Sequence, residues 1–286
     1  MTATLAPAGV RVPGRSVRGD LRAIGIVWQR ELIRFSSDRL RIATSLIQPV
    51  LFLFVLGSGL SRLTGGSTEG VDLRTFIFPG ILAMSVMFTA MFSAASIVWD
   101  REFGFLREML VAPVRRSAIV LGKCLGGATV AGFQGLVVLA LAGFVGVPYD
   151  AALLVGVFAC QLLLAFTITA FGVMMAARVS QMQSFMALTQ MLIMPLFFLS
   201  GALFPVSGLP RWLTVLNRID PLTYAVDPMR RIVFNHLDLP AAAVARLDPG
   251  VTWGGWHVPG WLEALVVAVL GVTFLAVAIV EFSRPE

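Results

Sequence analysis

Apolar residues in this chain gather into long unbroken runs separated by short charged or proline-rich breaks, the pattern of a polypeptide that crosses a hydrocarbon layer repeatedly. Six runs stand out: Ile42–Leu60, Phe76–Val98, Cys124–Val147, Ala151–Ala177, Met182–Phe204 and Ala264–Val280. Each approaches the roughly 20 helical residues that cross a core about 30 Å thick, the last being the shortest. Unpaired backbone amides in lipid are costly, so the runs are predicted to cross as closed helices. The expected fold class is an all-α membrane protein with six transmembrane helices.

The breaks carry their own patterns. Over Asp20–Phe35, Leu21, Ile24, Trp28, Leu32 and Phe35 share one helical stripe, with Arg22, Arg30, Glu31 and Arg34 elsewhere on the surface. Trp among basic residues just before a span reads as an N-terminal interfacial helix on the membrane surface, over residues 20–41; the alternative is an amphipathic helix packed on protein. Residues 1–19 are read as a flexible cytoplasmic tail, residues 42–281 as the six-span domain and 282–286 as a short cytoplasmic end. The third run opens with Gly122 and Gly126 at GxxxG spacing, followed by Gly132 and Gly135, which predicts a close helix-packing face. Pro205–Gly260 is too apolar for a disordered loop and too interrupted by proline for a crossing. It predicts broken external helices between the fifth and sixth spans, around Arg211–Asn217 and Leu222–Phe234.

Composition agrees: 57% of residues are hydrophobic and 13% charged, with mean hydropathy +0.86. A cytoplasmic N-terminus would put most of the basic residues inside, so the chain is expected to be a multi-pass protein of the cell membrane with both termini cytoplasmic. The pI near 10.5 then reflects anchoring to membrane lipids, and no nucleic acid partner is expected. Cys124 and Cys160 fall inside runs and read as packing residues; His236 and His257 lack metal-binding spacing.

None of the six runs contains Asp, Glu, Lys, Arg or His, so no proton relay is expected within them. No catalytic constellation is evident either, and the chain is read as a transporter rather than an enzyme, with no cofactor of its own. The Gly122–Lys123 pair is followed by Cys124 where a phosphate loop needs Ser or Thr. Energy for uphill movement would have to come from another subunit.

One charged island remains, WDREFGFLREMLVAPVRRSAIVLGK, between the second and third runs. Helical spacing puts Trp99, Phe103, Leu106 and Leu110 on one side and Arg101, Phe105 and Glu108 on the other. A short helix parallel to the membrane could bury the first stripe and offer the second to a soluble partner. Arg115, Arg116 and Lys123 would pin its exit at the headgroups. The alternative is that these charges only anchor a turn.

The stretch from Arg101 to Lys123 resembles the signature region of ABC type 2 permeases, in which an (R)E-x-G-x-(L) run and a proline lead to a basic loop and a G-K at the next span. Pro195–Arg231 resembles that family's second hallmark, F-x-S-G-x-x-F-P followed by a loop ending in P-L-T-Y-A-V-D. Within the family the chain is most similar to permeases of actinobacterial daunorubicin-resistance-type drug exporters, although Phe105 and Arg107 stand where many relatives carry Thr and Glu.

The resemblance implies a permease that works as a dimer with a second copy or homologue. ATP and Mg would be bound by a separate ATP-binding subunit, present in two copies. It assigns Arg101, Glu102, Gly104, Leu106 and Glu108 to a cytoplasmic coupling helix between spans 2 and 3, with Glu102 a charged contact and Gly104 a point of close backbone approach. Trp28, Arg30, Glu31 and Arg34 of the interfacial helix would also touch the ATPase. Family precedent puts the translocation path along the second and fifth spans, where Met84, Met87, Phe88 and Met91 share one face and Gln183, Met186, Gln190, Met194 and Phe197 another. Such faces suit an adaptable cavity, or plain helix packing. The function so implied is ATP-driven export of hydrophobic or amphiphilic, antibiotic-like compounds, as in multidrug efflux. The alternatives are the same machinery moving a lipid-linked glycan or lipid, and a passive pore or scaffold without ATPase coupling.

Overall fold

The computed structural model describes residues 17–59, 73–105, 109, 114–204, 210–237, 250–253 and 255–283. Nearly all of these are helical. Helix α1 is Val17–Ser37, and Asp38 then caps α2 (Arg39–Leu51), its carboxylate accepting from Arg41 N–H at 3.0 Å. Helix α3 is Leu73–Glu102, α4 Arg116–Leu139, α5 Ala151–Arg178 and α6 Met182–Leu199. Two shorter helices, α7 (Arg211–Ile219) and α8 (Thr223–Asn235), precede a two-residue hairpin pairing (β1, Thr252–Trp253; β2, Trp256–His257) and α9 (Gly260–Ser283). Among the described residues six helices are long and apolar enough to cross a membrane: Arg39–Gly59, α3, α4, α5, α6 and α9.

The helices alternate in direction, so spans 1, 3 and 5 start, and spans 2, 4 and 6 end, at the end of the bundle that carries α1. Helix α3 is the axis of the fold, with 89% of its apolar window buried against 17% for span 1. It packs on α4 and α5, α9 covers α5, and α2 and α6 lie at the periphery. The broken external helices match the sequence pattern closely. Helix α8 is buried along most of its length against α5, α9 and α3, so it dips into the bundle rather than lying on it.

Span 1 loses a backbone hydrogen bond where proline interrupts it. Pro49 lacks the N–H that would bond the carbonyl of Ser45, and Gln134 of α4 fills the gap, Nε2 donating to Ser45 O at 2.6 Å. Ser45 Oγ returns a bond to Gln134 Oε1 at 2.8 Å. The helix continues through a wide π turn at Phe52–Leu56.

Two expectations need correction. The third span runs over Arg116–Leu139 rather than Cys124–Val147, ending in a 3₁₀ turn at Ala142–Val145. Lys123 therefore lies two turns inside the helix and is buried instead of pinning the chain at the headgroups. The spans are consequently not free of charge: Asp100 near the end of α3 is buried as well. Helix α1, moreover, is not only a surface helix. Val27 and Glu31 press onto α4, while Leu21 of the predicted stripe stays exposed and Trp28 is only partly covered.

Candidate functional site

The α1 end of the bundle gathers the charged island into a set of fixed contacts. Gly122 and Gly126 make the first of them possible, because a Cβ on Gly122 would lie 2.7 Å from Val27 Cβ, and one on Gly126 2.7 Å from Glu31 Cβ. The GxxxG face predicted from spacing is thus real, and its partner is α1. With the backbones this close, Lys123 Nζ donates to Glu31 Oε1 at 2.6 Å, to Asp100 Oδ2 at 2.5 Å and to Ser96 Oγ at 3.0 Å. Arg30 Nη2 reaches the same Asp100 oxygen at 2.5 Å, and Arg34 Nη1 lies 3.6 Å from its other oxygen. Trp28 Nε1 adds a bond to Thr129 Oγ1 at 3.1 Å. A lysine this deep is tolerated only because two carboxylates and a hydroxyl receive its three protons.

The residues that the resemblance assigns to a coupling helix divide. Arg101 turns inward, donating to the carbonyls of Ala176 (2.9 Å), Ala177 (2.9 Å) and Val179 (2.7 Å). It thereby closes the C-terminal end of α5, whose last carbonyls have no partner within the helix. Arg116 does the same for α9, donating to Phe282 O at 2.7 Å. The expected polarity is reversed for Arg101, which faces the bundle, while Trp99 and Phe103 of the stripe expected to be buried are exposed and stack edge to face. Glu102 is exposed. Gly104 has φ +81° and open space where a Cβ would sit, so the chain needs glycine there for its left-handed turn and makes no close approach to its own backbone. Leu106 and Glu108 lie outside the described residues.

A cavity of about 470 Å³ opens between α2, α3 and α6. Met84, Phe88, Phe92 and Trp99 of α3 face Thr44, Ser45 and Gln48 of α2 and Met182 and Met186 of α6, and Arg34, Asp38 and Arg41 stand at its rim. Phe88 and Phe92 stack with centroids 6.2 Å apart. Of the path residues read from the sequence, Met84, Phe88 and Met186 meet here. Met87 and Met91 do not; both are buried in the core, where the Met91 sulfur would lie 3.2 Å from a Cβ placed on Gly172 of α5. Gln183, Gln190 and Met194 are exposed on the outer face of α6, and Phe197 turns into the core with Phe185, Thr189 and Ile193. Spacing alone missed the rim arginine Arg41 and the α2 wall, because nothing in a helical period says which neighbour a peripheral span leans on.

At the opposite end, α8 supplies a second polar cluster. Arg230 Nη2 donates to Gly201 O at 2.6 Å and its guanidinium lies 4.4 Å from the Phe76 ring centre. Arg231 bonds Asp227 Oδ2 at 2.6 Å and lies 3.4 Å from Glu263 Oε1 in the first turn of α9. Asp220, between α7 and α8, accepts from Leu222 N–H at 2.9 Å, while its other oxygen is buried without a hydrogen-bond partner among the described residues. Burial pushes its carboxyl up to about 7 against the opposing pull of that bond.

Residues 22–234 match the family model described as ABC-2 type transporter. The chain is 31% identical over 214 residues to Nodulation protein J of Rhizobium leguminosarum bv. trifolii, an alignment covering 73% of this chain and 80% of that one. It is 27% identical over 222 residues to "Inner membrane transport permease YadH" of Escherichia coli K12, covering 76% and 85%. It is also 28% identical over 171 residues to "Probable multidrug ABC transporter permease YbhR" of the same strain, covering 59% of this chain and 46% of that protein. Six apolar helices, the paired hallmarks and a family match over most of the chain converge: the protein belongs to the ABC-2 type transporter family and is a membrane permease subunit, not an enzyme.

Proposed function

We propose that this permease works with a separate ATP-binding subunit, which binds ATP and Mg, to export hydrophobic or amphiphilic compounds across the cell membrane. The observation that carries the reading is the cavity of about 470 Å³ between spans 1, 2 and 5, within the roughly 300–1,000 Å³ usual for sites of small organic ligands. Its walls combine unbranched methionines and stacked rings with uncharged hydroxyls and an amide. Such a surface adapts to many apolar shapes and can orient a polar substituent, with the charged groups confined to the rim. The multidrug designation of the E. coli relative points the same way.

In this reading the α1 end is cytoplasmic, both termini lie there, and two copies of the chain meet two ATP-binding subunits. Exposed Glu102 at the end of span 2 supplies a charged contact to the ATPase. The test is ATP hydrolysis by the reconstituted complex with a panel of amphiphilic antibiotics. Stimulation that Phe88→Ala and Met186→Ala weaken, with Glu102→Arg abolishing it while leaving membrane insertion intact, is the expected result. Compound efflux by this chain alone in ATPase-free vesicles defeats the reading in favour of a passive pore.

A further inference from the structure

Among the charged groups at the cavity rim, Arg41 differs from its neighbours. Asp38 is engaged with the backbone of α2, and Arg34 with Asp100 and, through its guanidinium 5.2 Å from the ring centre, with Trp99. The guanidinium of Arg41 makes no hydrogen bond or ion pair among the described residues, although it is half-buried and lines the cavity. The rim thus holds two guanidiniums against one carboxylate; Asp38 and Glu31 attract Arg41 through space, but among the described residues neither is hydrogen-bonded to its guanidinium.

The rest of the cavity runs away from that rim into the apolar layer. Along α3, Trp99 at the rim and Met84 at the far wall are separated by about 22 Å at ~1.5 Å per residue. Half of a hydrocarbon core is about 15 Å. With Trp99 placed at a membrane face, the slot would join a cationic mouth to a methionine- and phenylalanine-lined pocket long enough to reach the mid-plane.

We infer that this slot seats an amphiphile with an anionic, oxygen-rich head, Arg41 donating to the head and the apolar tail lying against Phe88, Phe92 and Met186. A planar guanidinium with free donors matches a phosphate or carboxylate in two-point geometry. An uncharged head could accept its hydrogen bonds but would leave its charge unbalanced, and a cationic head would repel it. The inference rests on the cavity being the ligand site of the proposed function and narrows its substrate class to anionic amphiphiles.

The test uses the full chain in phosphatidylcholine nanodiscs, with lysophosphatidate and lysophosphatidylcholine of the same acyl chain as probes. The two share a tail and differ in net head charge. Wild-type protein is expected to bind lysophosphatidate about tenfold more tightly, equivalent to about 1.4 kcal/mol. Arg41→Gln should erase that preference, Arg41→Lys should keep part of it, and Arg39→Gln, exposed on the same helix and outside the cavity, should keep all of it. Equal affinity of the wild-type chain for both probes overturns the inference, as does a preference that survives Arg41→Gln or is lost equally in Arg39→Gln. Transport is measured separately, by ATP hydrolysis in the complex. Lysophosphatidate that binds through Arg41 without stimulating hydrolysis identifies a resident lipid: the anionic seat stands and the cavity falls as the export path.

Discussion

Lys123 and Glu31 stand 92 positions apart in sequence and 2.6 Å apart in space, a buried ion pair that fastens the amino-terminal helix to the third span. Asp100 of the second span completes the junction from the other side at 2.5 Å. Isolated, any of these charges would be expelled from the bundle; together they leave few polar atoms unpaired.

Removing the lysine is expected to cost more than removing the pair. Lys123→Leu leaves two buried carboxylates facing each other, and a loss of about 3–5 kcal/mol is expected. Lys123→Leu with Glu31→Leu should recover part of it, since Asp100 keeps Arg30 and Arg34. Thermal unfolding of the detergent-solubilised protein measures both. A double-variant loss equal to the sum of the Lys123→Leu and Glu31→Leu losses would show that the pair is not coupled.

Two glycines in contacting helices should respond to alanine with opposite signs. At Gly126 the added Cβ would sit 2.7 Å from Glu31 Cβ and 2.9 Å from its Cγ, and overpacking of about 1–3 kcal/mol is expected, seen as faster hydrogen exchange along α1. Gly25, on α1 itself, has nothing within 4 Å, so alanine there should stabilise the helix by about 0.5–1 kcal/mol.

At Gly104 the constraint is conformational. Alanine must adopt φ near +81° and should cost about 1–2 kcal/mol, while Gly104→Asn should cost less. Should both variants lose ATPase coupling equally while remaining fully stable, close approach to a partner rather than backbone conformation would be the reason for glycine.

Asp220 sets a pH dependence. Its carboxyl is raised from 3.8 to about 7 by burial, so the folded protein holds this proton more tightly than the unfolded chain does. The contribution is fully present below about 4 and is lost as pH rises towards 7, by at most about 1.4 kcal/mol for each pH unit crossed. Wild-type unfolding temperature should therefore fall between pH 5 and pH 8 relative to Asp220→Asn, which keeps an acceptor for Leu222 N–H and has no proton to lose. Parallel profiles for the two proteins would refute the assignment.

The sequence revealed the spans and broken helices far better than the site, for a physical reason. Apolar runs and prolines act locally: the periods around Arg211–Asn217 and Leu222–Phe234 foretold α7 and α8 almost to the residue. The third span was displaced because Lys123 looks like a boundary in one dimension, and the acids that neutralise it come from α1 and α3. Arg101 looked free for the same reason, its acceptors being carbonyls 75 to 78 positions away. Methionine spacing on α3 could not separate Met84, which reaches the cavity, from Met87 and Met91, which fill the core, since the choice depends on where α5 lies.

The two inward arginines at either side of one short connection have a mechanical consequence. Arg101 grips the terminus of span 4 and Arg116 that of span 6, while the connection itself joins spans 2 and 3. A push delivered to this one linker arrives at four membrane helices at once. The peripheral spans 1 and 5, which wall the cavity, take no bond from either arginine, so in the proposed coupling such a push would act first on the core and reach span 1 through the Gln134–Ser45 bonds.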